Sequence, residues 1–132
     1  GTLGRRLRLE NVWLGTSVSD QETADTFIPP LLECHDLADK LFVSYEPAIS
    51  EVNWRYEWVS KIDLCIVGAE SGSNARSFDD RWVRSTVTQW HAQSKAVFYK
   101  QDAKNGRKIP TPGLDGMEIQ EMPGANLAVP KR

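Results

Sequence analysis

Residues 62–72 read Ile62-Asp63-Leu64-Cys65-Ile66-Val67-Gly68-Ala69-Glu70-Ser71-Gly72, and this stretch decides the fold. A short run of β-favouring apolar residues breaks off into Gly, Glu, Ser and Gly. Bounded by a turn signal and followed by a helical pattern, such a run predicts a buried strand of a parallel sheet. Parallel α/β sheets bind ligands just past the carboxyl ends of their strands. Glu70 and Ser71 fall at that place. A lone Gly-rich turn is ordinarily no more than a turn, but three other strands of this chain finish in a similar way.

Working outward, residues 12–18 give a first strand. Ser19-Asp20-Gln21-Glu22 then matches a capping box, with Ser19 as N-cap and Glu22 reaching back to it. Ala24, Phe27, Ile28, Leu31 and Leu32 recur at helical spacing and give the next helix one apolar face. Pro29-Pro30 should kink or divide that helix, since each proline lacks an N–H and crowds the preceding turn. Residues 41–46 form the second strand, stopped by Pro47. From 48 to 61 the pattern is weak, and Trp54, Tyr56 and Trp58 suit either a short helix or an aromatic flap, with core packing as their role. Beyond the central strand, Ser77-Phe78-Asp79-Asp80 supplies a second helix start. Val83, Val87 and Trp90 line that helix to about Gln93, and residues 96–100 are the fourth strand. Residues 1–10 read as an irregular basic lead-in with Arg5, Arg6 and Arg8 on a solvated face. Residues 104–132 read as a Pro/Gly-rich tail around a βα core of 11–103, all in one domain.

The alternation of strands and helices implies an α/β fold of four parallel strands with right-handed crossovers. Four such strands fit a small open sheet or half of a (β/α) barrel of the TIM type, and the half-barrel is the expectation adopted. It leaves two sheet edges that need covering.

Composition narrows the function classes. A net charge of −2 over 132 residues gives no electrostatic footprint for nucleic acid or an anionic membrane. No apolar run approaches the roughly 18 residues of a membrane span, and no signal peptide opens the chain. Two cysteines, Cys34 in a predicted helix and Cys65 in a strand, suit a reducing cytoplasm. Cys34-His35 lacks further ligands at metal-site spacing, so no metal or cofactor is expected of this chain alone.

Strand side chains alternate with a period of two. Trp13, Gly15 and Ser17 share one face with Phe42, Ser44 and Glu46, with Leu64, Ile66, Gly68 and Glu70, and with Ala96, Phe98 and Lys100. The opposite set (Val12, Leu14, Val18; Leu41, Val43, Tyr45; Cys65, Val67; Val97, Tyr99) should meet the helices. The first set turns polar only at the carboxyl ends, where Ser17, Glu46, Glu70 and Lys100 ring one mouth. Two carboxylates and an ammonium there suit ligand hydrogen bonding or proton transfer. The same groups also suit a Glu–Lys network that merely satisfies charge. Arg76 is of the type that grips a carboxylate or phosphate bidentately, or it is a surface arginine. No Ser/His/Asp set or activated cysteine supports acyl transfer. The Gly68–Gly72 turn is neither a dinucleotide fingerprint nor a phosphate loop.

These segments resemble the carboxyl-terminal half of an uncharacterised, phage-associated protein family with a radical-SAM-like barrel. The resemblance rests on Asn11-Val12-Trp13-Leu14-Gly15-Thr16-Ser17-Val18 with Gln21, on Phe42-Val43-Ser44-Tyr45-Glu46-Pro47, and on Ile66-Val67-Gly68-Ala69-Glu70-Ser71-Gly72 with Ala75-Arg76. It continues through Trp82-Val83-Arg84 and Lys100-Gln101 to Leu114-Asp115-Gly116, Glu121 and Pro123. Ala69 departs from the second glycine of the family's Gly-Gly-Glu-Ser-Gly, and Asp102 stands where a tryptophan commonly follows Lys-Gln. The family's amino-terminal half, with its cluster-ligating cysteines, is not in this sequence, and two thiols do not make the three or four that a four-iron cluster takes.

The resemblance thus implies a barrel and a ligand-facing mouth without radical chemistry in this chain. The expectation is a truncated or split phage- or mobile-element-related barrel whose half-site comprises Ser17, Ser44, Glu46, Glu70, Ser71, Arg76, Lys100 and Gln101. Its ligand would be small and anionic. Its partner would be a second copy or a missing amino-terminal half-barrel. Two alternatives stand beside it: a small enzyme using Glu46 or Glu70 as general base beside Lys100, and a non-catalytic interaction module.

Overall fold

The computed structural model describes residues 9–104, 107–110, 112–124 and 129–130. The lead-in arginines Arg5, Arg6 and Arg8 and the tail residue Leu127 lie outside them. The chain runs β1 (Leu9–Val18), α1 (Gln21–Leu32), β2 (Ala38–Tyr45), α2 (Tyr56–Lys61), β3 (Leu64–Gly68), α3 (Asp80–His91) and β4 (Ala96–Lys104). It continues with β5 (Arg107–Pro110), β6 (Gly113–Leu114), β7 (Met117–Glu118) and β8 (Val129–Pro130). Strands β1 to β4 are parallel and lie in sequence order, and β5 adds an antiparallel strand beside β4. The fold is mixed α/β, an open and mostly parallel sheet alternating with helices.

Five strands rather than four make this sheet, because the tail supplies one. β4 runs on to Lys104 and turns back into β5, pairing Gln101 with Pro110 and Lys104 with Arg107. Further up the same edge, Tyr99 N–H donates to the Ile119 carbonyl at 2.6 Å and Glu121 N–H to the Val97 carbonyl at 3.0 Å. The tail therefore occupies the outer edge of β4, answering the need to protect an edge strand. It also forms a small antiparallel sheet of β6, β7 and β8, and the Arg84 guanidinium ties it to α3 through Asp115 at 2.8 Å.

Helix α1 begins one residue later than the sequence suggests. Asp20 is the N-cap, its carboxylate accepting from Thr23 N–H at 2.9 Å, while Thr23 Oγ1 accepts from Asp20 N–H at 3.1 Å. This is the capping-box exchange with Thr23 in place of Glu22. Pro29 and Pro30 do not divide the helix, which continues to Leu32 with Glu33 N–H bonded to the Pro29 carbonyl. Ala24, Ile28 and Leu31 are buried on both sides of the two lost donors, so packing holds the turn that the missing bonds would have held. Phe27, expected on that apolar face, is about half exposed, and Cys34 lies past the end of the helix.

Segment 48–61 yields both packing and a helix. Trp54 and Trp58 are buried, α2 has only six residues, and Tyr56 points outward at 74% exposure. Trp54 Nε1–H donates to Thr86 Oγ1 at 3.1 Å, and its ring meets Tyr45 and Trp90 edge-on, with centroids 5.6 and 5.4 Å apart. The core therefore lies between the sheet and its helices. Val43, Tyr45, Cys65, Val67, Val97 and Tyr99 point into it, as the alternation predicts. Each fully buried branched side chain there contributes about 1.5–3 kcal/mol. Leu114 and Ile119 of the tail join the same core.

Candidate functional site

The other face of the sheet carries the candidate site, and strand register builds it row by row. Gly15, Phe42, Leu64 and Ala96 are successive partners across β1 to β4, and Ser17, Ser44, Ile66 and Phe98 form the next row. The Phe42 ring lies directly over Gly15, where a Cβ would overlap it. Beyond the second row the face becomes charged. Val67 pairs with Tyr99 but Gly68 with Gln101, so Lys100 is an extra residue in β4. A bulge of this kind re-aims a side chain and sharpens local twist. The result is a hollow of about 490 Å³, floored by Trp13, Phe42, Leu64, Ile66 and Phe98 and flanked by Met122 from the tail. Ser44, Glu46 and Lys100 supply its polar lining.

Glu46 and Lys100 meet at that end. Lys100 Nζ–H donates to Glu46 Oε1 at 3.3 Å, with the glutamate side chain 22% exposed. Glu46 lies across the backbone of Gly68, where a Cβ would come within 2.7 Å of Oε2. Glycine at 68 is therefore what seats this carboxylate. The chain beyond Glu46 is fixed by Ala48 N–H on the Gly68 carbonyl at 2.9 Å and Ile49 N–H on the Ser19 carbonyl at 3.0 Å. Among the described residues, the Ser44 hydroxyl and Glu46 Oε2 have no hydrogen-bond partner.

The remaining candidate residues stand elsewhere. Glu70 is bound to Arg76, not to Lys100. Its Oε1 accepts from Arg76 N–H at 2.8 Å and Nε–H at 2.9 Å, and its Oε2 accepts from Nη2–H at 2.7 Å. Gly72 at φ +110° makes the turn that folds Arg76 back. These bonds from the Arg76 side chain and backbone hold the Glu70 carboxyl down at about 2. A carboxylate that acidic is a poor proton acceptor, so of the two carboxylates considered for general-base work only Glu46 stands beside Lys100. Gln101 is buried, its Nε2–H donating to the Ala69 carbonyl at 2.7 Å while Ala69 N–H donates to the Gln101 carbonyl at 3.0 Å. It braces the end of β3 from the core side. Ser17 is exposed beside Ser44 on β1, and Ser71 is exposed in the Glu70–Arg76 turn.

The sequence thus brings Ser44, Glu46 and Lys100 to one hollow and sends Glu70 and Arg76 to a clamp beside it. Gly68 and Met122 went unassigned. A glycine at the end of a strand is a visible signal, whereas the approach of Met122 depends on the tail pairing with β4. No helix among the described residues is long and apolar enough to cross a membrane.

No curated protein and no solved structure matches the chain. One family does, over residues 3–123, a span that takes in the whole parallel sheet, the hollow and the tail segment that pairs with β4. On that match the chain belongs to the family described as Protein of unknown function (DUF5131).

Proposed function

We propose that the hollow is a ligand-facing half-site on half of a (β/α) barrel, binding a small molecule with an apolar body and a polar or anionic end. One observation carries the reading: an apolar floor runs along the sheet and ends in the Glu46–Lys100 pair at the carboxyl ends of the strands. That is where parallel sheets hold their ligands. The phage-related and radical-SAM-like parts of the reading draw their support from the sequence resemblance. Cys34 and Cys65 do not fit an iron–sulfur cluster, being two thiols only, one in the turn after α1 and one buried in β3. In the half-site Ser17, Glu70, Ser71 and Arg76 stand around the hollow, while Gln101 braces the end of β3 from the core side.

The test is methyl-selective NMR with 1-naphthoate as probe. The resonances of Leu64, Ile66 and Met122 should shift on titration while those of Ile28 and Ile62, buried on the helix side, stay in place. Shifts spread over the helix side, or no shifts at all with 1-naphthoate and with a neutral planar amide of the same size, would remove the reading.

We also propose that a second copy closes the open face. The tail fills the outer edge of β4, while among the described residues β1 has no neighbour on its other side. Closed two-fold pairs are the commonest assembly of soluble chains. Light scattering at micromolar concentration should give twice the 14.9 kDa chain mass. A stable monomer would discard this closure and leave the tail as the cover.

A further inference from the structure

We infer that the occupant of the hollow is a neutral, planar heterocycle presenting a cyclic-amide edge, an N–H and a C=O side by side. This rests on reading the hollow as a ligand site, and it follows from the charge at its polar end. Glu46 and Lys100 stand 3.3 Å apart and cancel. A full anion on Lys100 would sit beside the Glu46 carboxylate, and a full cation on Glu46 would sit beside the Lys100 ammonium. Like charges so placed are strongly disfavoured. A neutral edge carrying both a donor and an acceptor meets neither penalty. Its N–H faces Glu46 Oε2 and its C=O faces the ammonium, which gives only one of its three N–H groups to Glu46. The Ser44 hydroxyl, unpartnered among the described residues, adds one adaptable contact on the same face. A zwitterion matches the same pair of charges, but two formal charges lose far more hydration on entering an apolar hollow than an amide does. The body is planar because Trp13, Phe42 and Phe98 form the floor, and aromatic faces favour flat partners.

Matched probes separate this inference from the reading beneath it. The full chain is titrated with isoquinolin-1(2H)-one, its N-methyl derivative, 1-naphthoate and L-tryptophan, following the methyl groups of Leu64, Ile66 and Met122. The lactam should bind about tenfold tighter than either its N-methyl derivative or 1-naphthoate, the worth of one charge-assisted hydrogen bond. Glu46→Gln should reduce that preference about tenfold, with the unfolding midpoint reported alongside to show that the variant is folded. If 1-naphthoate or L-tryptophan moves the groove methyls at lower concentration than the lactam, the inference is overturned while the ligand site stands. Equal binding of the lactam and its N-methyl derivative overturns the inference in the same way. If no probe moves those methyls, both fall together.

Discussion

Trp54→Ala should cost about 3–5 kcal/mol, the range for emptying a buried indole site, and lower the midpoint of urea unfolding without changing its slope. Trp54 is 5% exposed and joins three parts of the core. Its ring meets Tyr45 of β2 and Trp90 of α3, its indole N–H is bound to Thr86, and its backbone N–H donates to Gln89 Oε1 at 2.7 Å. Removing the ring leaves a void between strand and helix and strands the Thr86 hydroxyl, which is fully buried. Neither defect is open to repair by water from the surface. A loss under about 0.5 kcal/mol, the size expected of a surface substitution, would show that the 48–61 segment is not part of the core.

Glu121→Ala should cost about 2–4 kcal/mol, most of it for leaving a buried N–H without an acceptor. Glu121 Oε1 accepts from Val97 N–H at 3.0 Å and lies 2.6 Å from His91 Nε2, and the residue is only 5% exposed. His91 is more than a third exposed, so its share is discounted for screening by solvent. The damage should be regional. Amide exchange of Tyr99, whose N–H is held by the Ile119 carbonyl, should accelerate with the tail, while the amides of β2 and β3 stay protected. Glu121→Gln keeps an acceptor for Val97 and should recover most of the loss. An alanine variant with unchanged exchange at Tyr99 would mean that Glu121 does not fasten the tail.

These two sites also mark what the sequence shows and what it hides. The two faces of the sheet are legible because alternation is local: every other residue of 12–18, 41–46, 64–68 and 96–100 goes the same way, and apart from Leu64 and Gly68 the buried residues lie on the helix face. The central strand is legible for the same reason. The tail is not, because β5, β6 and β7 are only two to four residues long, too short for an alternation to show. The residues that follow them, Ile119 and Glu121, are placed by Tyr99 and Val97, some twenty residues earlier. Glu70 and Arg76 attract notice as chemistry-bearing residues, yet nothing in their spacing shows that each is the other's partner. The turn at Gly72 decides that. The bulge that makes Lys100 the extra residue beside Gly68 is likewise a property of strand pairing, visible only once β3 and β4 lie together.

The claim that the open face is a ligand site is tested most directly by filling it. Ile66 lies in the middle of the floor, partly exposed on β3, with its side chain away from the core. In the single chain an arginine there projects into the open hollow and can keep its charge in water, so the chain's own fold should survive even where pairing with a second copy does not. Calorimetric titration with the same planar probes is expected to lose all measurable binding in Ile66→Arg, at an unfolding midpoint close to that of the parent chain. Undiminished binding by a folded Ile66→Arg protein would place the ligand elsewhere and contradict the account.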